Sequence, residues 1–238
     1  MRHAQTRTSI RPSRITKMVA SVAAMLLLAL TLSACEVSIP GVNVTQGSGT
    51  IKTETRAVSG FTGVALRGAG TLTIRQGNTE SLTITTDDNL LPLLTSTVNN
   101  GVLELSGKER TIPRPTDGIK WDVTVKNLNS VSLTGAGIVN VENLNTSSLD
   151  TKISGAGTMN VSGRASAQSI SVTGAGNYNG RNFTAPTATV NISGAGNAFV
   201  NASEALDATV SGAGVVTYYG TPKVTQHISG AGTVRQGR

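Results

Sequence analysis

The 238-residue chain holds one cysteine, two histidines and seven aromatic residues, and only 14% of its positions are charged. Cys35 has no partner for an internal disulfide, and no Cys/His cluster with metal-ligand spacing exists. His3 falls in a basic N-terminal stretch, which leaves His227 as the only histidine in the body of the chain. No Ser-His-Asp or Cys-His set can be assembled from so few groups. The aromatics are sparse and not interleaved with basic residues, so a nucleic-acid partner is not expected. The one long apolar run, Met18 to Leu32, is short of the ~20 residues a membrane-spanning helix needs. An uncleaved anchor is therefore the minor reading of that run.

Glycine is abundant, with 27 copies, and it is patterned. Gly-Ala-Gly begins at Gly68, Gly135, Gly155, Gly174, Gly194, Gly212 and Gly230. From Gly135 the steps are 20, 19, 20, 18 and 18 residues. A fixed period of this length is the mark of a solenoid, in which neighbouring repeats build the core by stacking. Around each triplet, apolar residues alternate with polar ones, as in Val131, Leu133, Val139 and Val141, or Val190, Ile192, Ala198 and Val200. That is the period of half-buried strands, and no sustained helical period occurs in the repeats. The pattern predicts an all-β parallel β-helix of ~19 residues per rung, with rungs ~4.8 Å apart.

Glycine suits the sharp corners such a coil needs. The Ser or Thr before each triplet, from Thr134 to Ser229, would stack as a hydroxyl column, and the alanines as a methyl column. Alternation alone leaves open which of these points inward. Three ligand-binding readings of the triplets fail. The third glycine of a dinucleotide fingerprint is absent, no Lys-Ser or Lys-Thr follows for a phosphate loop, and no Asp supplies a calcium roll.

The formal charge of +7 is an artefact of the first residues. Arg2, Arg7, Arg11, Arg14 and Lys17 precede the apolar run, which ends in Leu32-Ser33-Ala34-Cys35. This is the layout of a secretory signal peptide over residues 1–34, and its end resembles a bacterial lipoprotein lipobox. The resemblance implies acylation of Cys35, leaving 15 basic against 13 acidic residues after cleavage. Residues 35–49, with Pro40, Gly41, Gly47 and Gly49, read as a membrane-proximal tether. Glu36 stands where Asp would favour inner-membrane retention in enterobacterial sorting, so the resemblance leans to the outer membrane.

Residues 50–126 are less regular. Asp87 to Leu94 is expected to form one helical turn, capped by Asp87 or Asp88 and limited by Pro92. Asn100-Gly101 marks a hairpin, Ser106 to Gly118 a loop, and Trp121 to Val125 a strand. This part is expected to cover the first edge of the solenoid, since bare edges invite pairing. Arg235 and Arg238 charge the opposite edge.

Taken together, residues 50 to 236 resemble the auto-transporter adhesin head, or GIN, domain family. The resemblance rests on Gly60-Phe61-Thr62-Gly63-Val64, Val102-Leu103-Glu104-Leu105, the repeated Ser-Gly-Ala-Gly, and Tyr218-Tyr219-Gly220-Thr221-Pro222-Lys223. Members more often carry Gly-Ser-Gly at the corner. The resemblance implies a right-handed β-helix over residues 50–238 on an envelope protein, and it brings no catalytic residues or cofactor.

Two function classes follow. The first is a non-catalytic surface for adhesion or scaffolding, with a glycan or envelope protein as partner. Its outward positions would be Asn140, Asn143, Asn145, Asn160, Asn177, Asn179, Asn182, Asn191, Asn197 and Asn201. The second is a polysaccharide lyase or hydrolase, which needs acids converging from adjacent rungs. Glu142, Asp150, Glu204 and Asp207 fall at different phases of the repeat, which disfavours it. Tyr178, Phe183, Phe199, Tyr218 and Tyr219 are expected in the core or at the end of the stack.

Overall fold

The structure, a computed structural model, describes residues 41–238. The expected signal peptide over residues 1–34, Cys35 and the start of the expected tether lie outside the described residues. Asn43–Arg238 form one compact unit. Strands β1 (Asn43–Gln46) and β2 (Ile51–Arg56) precede the first rung. That rung is β3 (Gly63–Arg67) and β4 (Thr71–Gln76), on either side of the Gly68 triplet. An excursion follows with β5 (Ser81–Asp87), a 3₁₀ turn at Leu91–Leu93, β6 (Leu94–Asn99), β7 (Val102–Gly107), β8 (Thr111–Arg114) and β9 (Lys120–Val125). The stacked rungs resume with β10 (Ser130–Gly135), β11 (Ile138–Gly155), β12 (Thr158–Gly174) and β13 (Asn177–Gly194). They end with β14 (Asn197–Gly212), β15 (Val215–Tyr219), β16 (Lys223–Gly230) and β17 (Thr233–Gln236).

Every rung-to-rung pairing from β10 onward is parallel, and the triplets are in register from Gly135 to Gly230. The chain is a parallel β-solenoid. Gly68 joins the same column: β3 pairs with β10, and the Gly68 N–H donates to the Thr134 carbonyl at 2.7 Å. The long excursion therefore interrupts the sequence but not the stack.

The two glycines of each triplet do different jobs. The first has φ between 105° and 125° in all seven copies, and a Cβ at Gly155 would sit 2.7 Å from the Gly135 carbonyl oxygen. In the complete rungs the second faces the core. A Cβ at Gly214 would come 2.6 Å from Ile192 and 2.8 Å from the Gly196 carbonyl. Alanine between them and the hydroxyl before them both face solvent, as at Ala156 and Ser154. The ladder continues through the corner, with Ala156 N–H to the Gly135 carbonyl at 3.0 Å and Ala175 N–H to that of Gly155 at 2.9 Å.

Inside the coil, valine, isoleucine and leucine stack in columns, from Val64 and Leu66 to Val210 and Val216. One large residue interrupts them. Tyr178 is fully buried beside Gly180 and opposite Ala198, whose small size leaves it room. Its hydroxyl donates to Gln168 Oε1 at 3.2 Å, and Gln168 Nε2 donates to the Asn201 carbonyl at 3.0 Å.

The opening region caps the first edge. β7 and β9 continue the parallel stack below β3 and β4. Below them β6, β5 and β2 add antiparallel pairings. Asn100 and Gly101 turn the β6–β7 hairpin with φ of 49° and 76°, the positive values such two-residue turns require. The expected helical turn is only the 3₁₀ segment Leu91–Leu93, with Leu90 at its N-cap and no side-chain cap. Asp87 instead ends β5 and is buried. The Ser106–Gly118 segment contains β8, which pairs in parallel with β1. β1 lies within the stretch read as tether.

Candidate functional site

The sheet that follows each corner, from β4 through β11–β15 to β17, carries the most organised outward face. Val139, Val141, Met159, Tyr178, Ala198 and Val200 point into the core, so residues between them point out. Parallel register then sets Asn140, Asn160, Asn179 and Phe199 in one column. Asn160 Nδ2 donates to Asn140 Oδ1 at 2.9 Å, and Asn179 Nδ2 to Asn160 Oδ1 at 3.3 Å. One column nearer the corner, Asn197 Nδ2 donates to Asn177 Oδ1 at 2.9 Å. Each amide in such a ladder keeps donors or acceptors for an outside partner, because four hydrogen-bonding positions exceed what two neighbours use.

The ends of this face differ. At the lower end Arg75 bridges Glu142 at 2.9 Å and Asp122 at 3.3 Å. At the upper end Phe199 is 37% exposed, and the Arg181 guanidinium lies 4.5 Å from the centroid of Tyr219. Asn140, Glu142, Asn160, Ser162, Asn179 and Asn182 line a shallow trough of about 180 Å³ between them. Tyr178 and Phe183 are buried, as expected for core residues, whereas Phe199 is not.

All ten singled-out asparagines lie outside the core. Asn143 has φ of 52° at a second bend of its rung, and Asn145 Oδ1 accepts from Arg164 at 3.1 Å. The carboxylates are not brought together. Glu142 is held by Arg75, Asp150 lies 3.7 Å from Lys152, and Glu204 and Asp207 are exposed. Among the described residues no three Asp, Glu, His or Cys side chains converge as metal ligands would. His227 is exposed on β16.

A column of stacked corners, an excursion that caps the first edge, and the Tyr218–Lys223 segment before the last triplet form one pattern. The family model described as "Putative auto-transporter adhesin, head GIN domain" matches residues 60–222. The chain belongs to this family. A crystal structure of a "putative adhesin" from Bacteroides fragilis is 25% identical, with a TM-score of 0.68 over 81% of this chain and 99% of that one. A "putative lipid binding protein" from Parabacteroides distasonis is 21% identical, with a TM-score of 0.54 over 82% of this chain and 100% of that one. A "putative adhesin" from the same species is 20% identical, with a TM-score of 0.53 over 82% and 100%. The last two likenesses bear on the fold alone. A search of the curated proteins gave no match.

Proposed function

We propose that this GIN-domain chain is a non-catalytic, lipid-anchored adhesin of the bacterial envelope, which presents the amide-ladder face of its solenoid to a glycan. Family membership and the likeness to the Bacteroides fragilis adhesin support the adhesive role. The Leu32-Ser33-Ala34-Cys35 junction supports the anchor at Cys35, and Glu36 supports the outer membrane. The observation that carries the glycan reading is Phe199, an exposed ring that continues the Asn140–Asn160–Asn179 ladder. Sugars offer hydroxyls and an apolar ring face together, and an amide row ending in an aromatic ring meets both.

The experiment is a glycan-array and envelope pull-down screen with the soluble fragment 36–238, which contains the compact unit 43–238. Binding to specific glycans that is lost in Phe199→Ala and Asn160→Ala, with melting of Phe199→Ala unchanged, supports the reading. Glycan binding unaltered in both variants sinks it. Capture of one envelope protein with no glycan binding moves the role to scaffolding.

A further inference from the structure

In each complete rung, three residues turn the glycine corner. In the layer beneath the first rung that corner is opened. β7 ends at Gly107, β9 begins at Lys120, and the chain between leaves as β8 and returns. The excursion leaves a cleft of about 620 Å³ beside Gly68, Ala69 and Gly70. Leu94, Ile112, Pro113, Pro115, Ile119 and Trp121 supply an apolar lining, while Arg67, Ser106 and Thr111 are its polar groups. Size, lining and a few polar groups are those of small-molecule sites.

Two observations separate this cleft from a packing gap. Trp121 is 2% exposed and its indole N–H has no partner among the described residues, although buried indole donors usually find one. The nitrogen lies against Gly70, where a Cβ would stand 3.4 Å from it. The donor is closed off against Gly70, so a ligand oxygen that eases this corner open would fill it. Secondly, Ile112 on the cleft wall and its register partner Val44 are 46% and 53% exposed, forming an apolar lip. Paired exposed apolar residues beside a cleft mark interaction surface.

The geometry points to a binding site for a free long-chain carboxylate, with its alkyl chain along Ile112 and Ile119 and its head at the corner, toward Arg67 and the indole N–H of Trp121. Trp121 is the only aromatic in the wall, so nothing there can sandwich a flat ring, and an alkyl chain suits the aliphatic lining. Arg67 touches Glu104 through one nitrogen at 3.1 Å, and its fork has further N–H donors for an anion.

Trp121 is the only tryptophan of the chain, so its emission reports on the cleft directly. Fragment 36–238 is titrated with mid-chain brominated palmitate, a contact quencher, below its micelle threshold. The expected result is saturable one-to-one quenching, weakened about tenfold or more in Ala69→Phe. That substitution blocks the cleft from an exposed position. Ala156→Phe, the same change on the same methyl column away from the cleft, should leave the quenching intact, and Arg67→Gln should weaken it several-fold. Absence of quenching, or equal loss in both phenylalanine variants, overturns the site. Quenching that appears only in fragment 43–238 also overturns it, since the tether then fills the cleft. None of these variants touches Phe199, so glycan binding succeeds or fails separately.

Discussion

Thr116 gives both its backbone N–H and its hydroxyl to the Asp87 carboxylate, at 2.9 and 2.8 Å. The Gly49 N–H adds a third bond at 2.8 Å. One buried side chain thus ties the end of β5 to the loop after β8 and to the chain entering β2. The Thr116 N–H, foremost, then its hydroxyl and the Gly49 N–H, hold the Asp87 carboxyl below the usual carboxylate range against the opposing effect of burial.

Acid should release this latch. Below about pH 4 an unfolded Asp takes up a proton while folded Asp87 remains ionised, so the unfolded state binds more protons. The stabilisation is complete above the ordinary Asp value and is lost as pH falls through the lowered folded value. Thermal melting from neutral pH downward is expected to show a steeper decline for wild type than for Asp87→Asn. Parallel curves would mean that the carboxylate charge contributes nothing.

Gly155→Ala tests the corner. Its φ of 117° and the nearby Gly135 carbonyl leave no place for a methyl group, so a cost of about 1–3 kcal/mol is expected from backbone strain alone. Ala156→Ser, on the exposed side of the same corner, should stay within about 0.5 kcal/mol of wild type. Urea unfolding measures both, and equal effects would mean that neither the positive φ nor the close carbonyl requires glycine at this position.

Tyr178→Phe should destabilise by about 1–3 kcal/mol, because it leaves the buried Gln168 carbonyl without its donor. Burial pushes the Tyr178 hydroxyl well above its ordinary value. Above about pH 10 the unfolded chain loses that proton first, so stability falls with rising pH. An alkaline absorbance titration should reveal a phenol that ionises only on unfolding. The Phe variant should lack that step.

Cys35→Ala is expected to abolish incorporation of labelled palmitate and to release the chain from the membrane fraction. Continued labelling of the variant would defeat the lipobox assignment.

The corners were legible in the sequence because their demands are local. A positive φ and a close carbonyl both select glycine, and the stack repeats the demand at every rung. The Asn100-Gly101 hairpin was legible for the same reason. Asp87 ends β5 and neither it nor Asp88 caps the turn, a difference hidden in the sequence because an Asp before an apolar run looks alike whether it caps or reaches a distant partner. Thr116 lies 29 residues away, and nothing in its neighbourhood signals the bond. The β1–β8 pairing joins two four-residue strands too short to show a period.

The candidate sites divide the same way. Alternation placed the asparagines outside, but only register shows that Asn140, Asn160 and Asn179 are bonded in a row and that Phe199 continues it in the open. The cleft has no residue signature, since it arises where a corner is absent.

The order of residues alone was enough to specify a stack of glycine-cornered rungs, because each corner depends on geometry within a few neighbours. Which outward side chains meet, and where the stack leaves a cavity, depended on how distant segments come to lie together. Those contacts join residues that no local pattern relates, so they exist only once the coil has closed.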